Sequence, residues 1–259
     1  IFEDIAYRRG IGDELAQENR RMSVKYGGKD FAIHAKGMEL AAYEPRKAVG
    51  LGLGYATSNR GGCHLNGGYL VILEGLGLSM DQTTYHAKGD LTMLFQDLME
   101  MISASGQCLF TSYAFFPTPL MNHPNAWYTK MVNRILPYTG PVVRIINKFP
   151  EIACFHLPVF HHTKGFEYTT GMKMTFGDYI RCGERGFNLE REVNRRFGVN
   201  ANKDALPKTQ TLQDPKDPDS KVPLEKLKKV YYHARGWDKD GLPAKRLLKK
   251  LKISEGADI

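Results

Sequence analysis

The chain has 259 residues, 42% hydrophobic and 25% charged, with 36 lysines and arginines against 28 aspartates and glutamates and a net charge of +8. That composition suits a globular protein of one large or two small domains and excludes a disordered, collagen-like or disulfide-stapled chain. No apolar run approaches the roughly 20 residues needed to cross a bilayer, which excludes a helical membrane protein.

The first residues, IFEDIAYRRG, carry neither the apolar core nor the cleavage site of a signal peptide, so a cytoplasmic protein is expected, or a piece of one that begins partway through. Ile1, Phe2, Ile5 and Ala6 form a short helical stripe, and Ile11, Leu15, Ala16 and Met22 a second. Strand-like pieces are short, around Phe31 to His34 and Tyr69 to Leu73. Gly50 to Gly68, with seven glycines, and the Pro-rich Phe115 to Pro124 read as loops. Leu91 to Ser103 places Leu91, Leu94, Phe95, Leu98, Met101 and Ile102 on one face of a helix. Asn125 can cap a helix that Pro137 ends. Thr175 to Phe197 predicts a long helix interrupted near Gly186, and further helices follow at Leu224 to Ala234 and Leu247 to Leu251.

The pattern predicts an all-α, multihelical fold. Residues 1–201 form the helical body, which divides into two subdomains. Residues 202–223, polar and rich in Pro and Asp, form a connector, and residues 224–259 a basic helical tail. From Lys221 to Lys252 eleven basic residues face three acids, so most of the net charge sits beyond the body. A nucleic-acid groove would need that charge spread over the globular part, so a docked helix with a solvated basic face is the better reading of the tail.

Chemistry concentrates in few places. Arg60-Gly61-Gly62-Cys63-His64 puts a fixed cation and a titratable imidazole within one glycine-rich turn, without the Lys-Ser/Thr of a phosphate loop. Ser103 to Phe110 follows the most regular amphipathic helix, and Gly106 there suits a helix C-cap that delivers Cys108 on a fixed turn. The four cysteines, Cys63, Cys108, Cys154 and Cys182, form no C-x-x-C pair and are expected as reduced, buried packing residues. His161-His162 and Met172 to Met174 read as structural.

Four segments together resemble a known family: Gly10-Ile-Gly-Asp-Glu-Leu-Ala; Phe31 to Lys36 with Glu39 and Tyr43-Glu-Pro-Arg46; YATSNRGGCH from Tyr55 to His64; and Gly186-Phe-Asn-Leu-Glu-Arg-Glu-Val-Asn-Arg195. In order and spacing, from Ile1 to about Thr209, they resemble the C-terminal half of the tungsten-dependent aldehyde:ferredoxin oxidoreductases. The resemblance implies two helical domains closing over a tungsten (or molybdenum) bis-pterin centre that a separate N-terminal domain cradles. The implied reaction takes an aldehyde to a carboxylic acid, with electrons passing through a [4Fe–4S] cluster to ferredoxin. By the same resemblance His64 is the proton-transfer residue, Cys108 is one of four cluster ligands, and Asn66, Ser103, Gln107 and Leu109 stand at cofactor-contacting positions.

Departures from the family pattern are visible. Ser103 replaces an aspartate, Gln107 a leucine and Asn66 a basic residue, which exchanges charge-assisted bonds for neutral ones. They admit two further readings: a subunit resembling benzoyl-coenzyme A reductases, acting on a bulky or thioester-linked substrate, or a non-catalytic interaction module. The remaining cluster cysteines lie upstream of Ile1 in the family pattern, so the 259 residues alone are expected to hold no tungsten, pterin or iron and to be inactive.

Overall fold

The computed structural model describes residues 1–154, 160–217 and 220–253; Pro218 and Asp219 of the expected connector and residues 254–259 of the expected tail lie outside these. Three short helices, α1 (Phe2–Ala6), α2 (Ile11–Leu15) and α3 (Glu18–Lys25), lead to an antiparallel pair, β1 (His34–Ala35) and β2 (Met38–Glu39), in which His34 pairs with Glu39 and Ala35 with Met38. Helices then follow in order: α4 (Val49–Thr57), α5 (Lys88–Ala104), α6 (Thr118–Asn122), α7 (Trp127–Ile135), α8 (Gly140–Lys148), α9 (His162–Thr170), α10 (Phe176–Arg196), α11 (Lys208–Thr211), α12 (Leu224–Arg235) and α13 (Lys245–Lys250). The all-α class expected from the pattern is the one observed. Among the described residues no helix is long and apolar enough to cross a membrane.

The axis of the fold is α5, which packs against α10, α12, α8 and α4. Its sequence predicts one buried face, yet every residue from Lys88 to Ile102 is buried. The polar face can be buried because neighbouring helices bring partners to it. Arg144 on α8 clamps Asp90 through two bonds of 3.1 and 2.9 Å. Gln96 donates to Thr57 at 3.1 Å and accepts from the Tyr231 hydroxyl at 2.6 Å. Arg235 on α12 pairs with Asp97, both side chains fully enclosed, while its guanidinium lies 4.1 Å over the Phe187 ring.

The long helix α10 starts at a capping box between Thr175 and Asp178 and runs through Gly186 without interruption. Gly183 sets its crossing with α5, since a Cβ there would lie 1.8 Å from the Asp97 carbonyl oxygen.

Several expected boundaries shift. The first half of the glycine-rich stretch is the buried helix α4, not a loop. Its glycines are contact points: a Cβ at Gly54 would sit 2.3 Å from the Gly67 carbonyl oxygen, and one at Gly52 2.8 Å from Val222. Two backbone N–H groups of its first turn, Gly50 and Leu51, donate to the buried Glu74 carboxylate, which also pairs with buried Lys88. The apolar run Tyr69 to Leu73, expected as a strand, leads into a π-helical turn at Ile72–Leu76, because a run that is apolar all round suits a buried helix as well as a strand. The other expected strand moves to His34–Ala35. The Pro-rich loop contains α6, and α7 is preceded by Ala126, not Asn125, ending at Ile135, two residues before Pro137.

The basic segment is a working part of the core. Leu227 and Tyr231 on α12 are fully buried with Val49, Leu53 and Phe187, and the lysines line the outer face. The expected connector carries a fully buried Asp204, which accepts from Lys36 at 2.9 Å, from both terminal nitrogens of Arg191 at 3.0 and 2.7 Å, and from the Tyr232 hydroxyl at 2.7 Å.

Candidate functional site

His64 ends the glycine-rich motif on a turn closed by Gly67 N–H to Cys63 C=O (2.9 Å) and Tyr69 N–H to His64 C=O (2.8 Å). The Gly61-Gly62 pair lets this turn press on the β hairpin. Gly61 has a φ of +106°, and a Cβ on Gly62 would lie 2.6 Å from both the Met38 carbonyl oxygen and the Leu40 side chain.

The imidazole of His64 is half-buried between the rings of Tyr43 and Tyr69, with centroids 5.4 and 5.5 Å away. Among the described residues neither of its ring nitrogens has a hydrogen-bond partner. Burial holds its pKa below the ordinary 6.5, so the ring is neutral near pH 7. Tyr69, at φ +53°, brings its hydroxyl within 3.4 Å of the Tyr43 hydroxyl and 2.6 Å of that of Tyr113. Burial, together with these bonds, pushes Tyr69 far above the usual phenol range and keeps it protonated. The result is a neutral imidazole beside a short row of phenols.

Asn66, two residues on, faces inward. Its Oδ1 accepts from Ser58 Oγ (2.8 Å) and the Asn59 N–H (2.9 Å), and its Nδ2 donates to Glu190 (3.2 Å) and Glu100 (3.5 Å). At 4% exposure and with both amide atoms engaged, it braces the turn from within and offers no surface to an external pterin. Burial first, and then the charge of Glu190, raise Glu100 to about 7, while Arg60 opposes the shift. Arg60 lies 3.9 Å from Glu190 and donates to Ser103 Oγ at 3.3 Å, tying the end of α5 to the motif.

The segment after α5 touches the motif at two points, through Ser103 to Arg60 and through Tyr113 to Tyr69. Between them lie Gln107, whose Nε2 donates to the His162 carbonyl at 3.2 Å, the half-buried Leu109, and Cys108. Cys108 is exposed with a free thiol, at the start of a 3-10 turn, Leu109–Phe115. The expectation of four buried packing cysteines fails: Cys108, Cys154 and Cys182 are exposed and Cys63 is half-buried. His162 is structural as expected, bonded to Thr111 and lowered to about 4 by burial and by His161.

Among the described residues no three His, Cys, Asp or Glu side chains gather to hold a metal. Cys108 fits the role of one thiolate in a cluster completed from elsewhere, because its sulfur is free, exposed and set by backbone turns. Three participants were not singled out from the sequence: Tyr69 and Tyr113, hidden in apolar stretches, and Glu100, hidden on the polar face of α5. Tyr43 stood inside a recognised motif without an assigned role.

Fold and site define an all-α module that presents a neutral histidine and a free thiol on adjoining segments. The match is more specific than that. The family described as "Aldehyde ferredoxin oxidoreductase, domains 2 & 3" matches residues 1–253, and the chain belongs to it. The match includes the basic segment, beyond the limit near Thr209 that motifs alone had set. The chain is 33% identical over 262 residues to the tungsten-containing aldehyde ferredoxin oxidoreductase of Pyrococcus furiosus, covering 98% of this chain and 36% of that protein. It is 32% identical to the protein of that name from Thermococcus kodakarensis, with the same coverage. To the Pyrococcus horikoshii protein it is 32% identical over 97% of this chain and 35% of the relative. The chain thus spans about a third of the length of these relatives.

Proposed function

We propose that this chain supplies one wall of the active site of a tungstopterin and iron–sulfur oxidoreductase that converts an aldehyde and water to a carboxylic acid, releasing two electrons and two protons. The electrons pass to ferredoxin or a similar carrier in the cytoplasm. The observation that carries the reading is His64, a half-buried imidazole kept neutral near pH 7, with ring nitrogens free of protein partners. A neutral imidazole can hydrogen-bond a carbonyl oxygen or take up a proton released as the aldehyde carbon is oxidised. Tyr43 and Tyr69 hold the ring between them and limit water, so they act as positioning residues.

The bound tungsten centre, when supplied by the rest of the enzyme, provides the two-electron redox chemistry. From this chain Cys108 contributes one thiolate to a [4Fe–4S] cluster, and Ser103 and Leu109 stand where a pterin is contacted. Asn66 and Gln107 are committed to the protein itself and support the site from behind. The chain alone brings one suitable thiolate, and stoichiometric iron in the isolated 259 residues would refute this division of labour.

The decisive experiment is His64→Asn in the full-length enzyme, assayed by aldehyde-dependent dye reduction. A loss of about 10²- to 10⁴-fold in kcat with unchanged tungsten and iron content is expected of a proton-transfer residue. Wild-type activity should fall on the acid side as His64 becomes protonated, with the midpoint below 6.5. Full activity in His64→Asn would defeat the assignment.

A further inference from the structure

Away from His64, helices α8, α10, α12 and α13 line a half-open cavity of about 720 Å³. Its volume lies within the range typical of small-molecule sites. None of the residues surrounding His64 lines it.

The charge of its lining is lopsided. Six lysines and arginines face it against two carboxylates, Glu151 and Glu184. Both carboxylates pair with Arg181, while Arg144 and Arg235 pair with Asp90 and Asp97 behind the wall. Among the described residues Lys148, Arg246 and Lys250 form no ion pair with a carboxylate, although the charge of Lys250 is felt by Glu151. The Lys148 ammonium rests 5.3 Å over the Phe149 ring, and Lys250 Nζ donates to the Lys148 carbonyl at 3.2 Å, which fixes it at the end of α8. Like charges gathered this way repel one another, and a multiply charged anion removes the repulsion.

The rest of the lining describes the remainder of the ligand. Met93, Leu247 and the half-exposed Phe149 give an apolar surface for a flat body. Asn147, 2% exposed, donates from Nδ2 to the Asp90 carbonyl, but its Oδ1 has no hydrogen-bond partner. That oxygen is enclosed by protein, so Asn147 shapes the wall of the cavity.

We propose that this cavity is a binding site for a phosphorylated heteroaromatic compound, a nucleoside diphosphate or its like. The phosphates are held by Lys148, Arg246 and Lys250, and the ring lies on Phe149 and Leu247. Arginine's planar fork suits phosphate oxygens and lysine adds point charge.

The test is calorimetric titration of the full-length protein carrying this chain with ADP and, separately, with pyrophosphate. ADP is expected to bind at least about tenfold more tightly than pyrophosphate, a margin of about 1.4 kcal/mol for the ring. The exposed double variant Arg246→Glu with Lys250→Glu, shown to be folded by its circular dichroism, should weaken ADP at least tenfold. Three results overturn the proposal: no heat or stabilisation with millimolar ADP, equal affinity for pyrophosphate, or unchanged affinity in the double variant.

Discussion

Replacing Glu100 by glutamine should stabilise the protein, and only at neutral to alkaline pH. The Glu100 carboxyl lies beside Glu190, among the described residues only the neutral amide of Asn66 donates to it, and its pKa is raised to about 7 from 4.5. Between those values the folded protein holds a proton that the unfolded chain releases, so stability is fully present below about 4.5 and is lost as pH rises through 7. At about 1.4 kcal/mol per unit, the upper bound is about 3.5 kcal/mol, and solvent reaching the carboxylate reduces the expected effect to roughly 1–2 kcal/mol. Glutamine keeps an acceptor for Asn66 Nδ2 and removes the charge facing Glu190. Thermal melts at pH 8 should show Glu100→Gln above wild type by about 2–8 °C, given about 2–4 °C per kcal/mol at this chain length. At pH 4 the two curves should converge. A variant that is less stable at pH 8, or shifted equally at both pH values, would refute the reasoning.

Two other outcomes follow from burial and exposure. Arg235→Ala strands Asp97 in the core and should cost about 3–5 kcal/mol by urea denaturation; adding Asp97→Ala should restore part of that loss, and strict additivity would show the pair to be uncoupled. In the folded protein at pH 7, a maleimide reagent should label Cys108 and Cys154 first and Cys182 more slowly, since burial raises the Cys182 thiol; mass spectrometry locates the adducts, and an unreactive Cys108 would contradict its place on the surface.

Much of the fold was legible because amphipathic periodicity marks helices whose faces differ. It marked α5, α10 and α12, but not the depth of α5, some of whose polar residues are buried against partners more than a hundred positions away, as Asp97 is against Arg235. The glycines of α4 read as a loop because their purpose, close approach to Gly67 and Val222, exists only in three dimensions. At the site, His64 and Cys108 could be found because short motifs carry them. Tyr113 and the carboxylates around Asn66 could not, since they come from separate segments that converge only after folding.

The Asp204 carboxylate has a consequence for how the chain is made. Its partners Lys36, Arg191 and Tyr232 come from the beginning, middle and end of the sequence, and Tyr232 leaves the ribosome last. Until then α5 also lacks Arg235, and the groove between α4 and α5 lacks the side chains of α12. Closing such long loops is slow because their entropy must be given up before the contacts form. More than two hundred residues therefore wait with apolar surface open for the segment that seals them. During synthesis that open surface is prone to aggregation until α12 arrives.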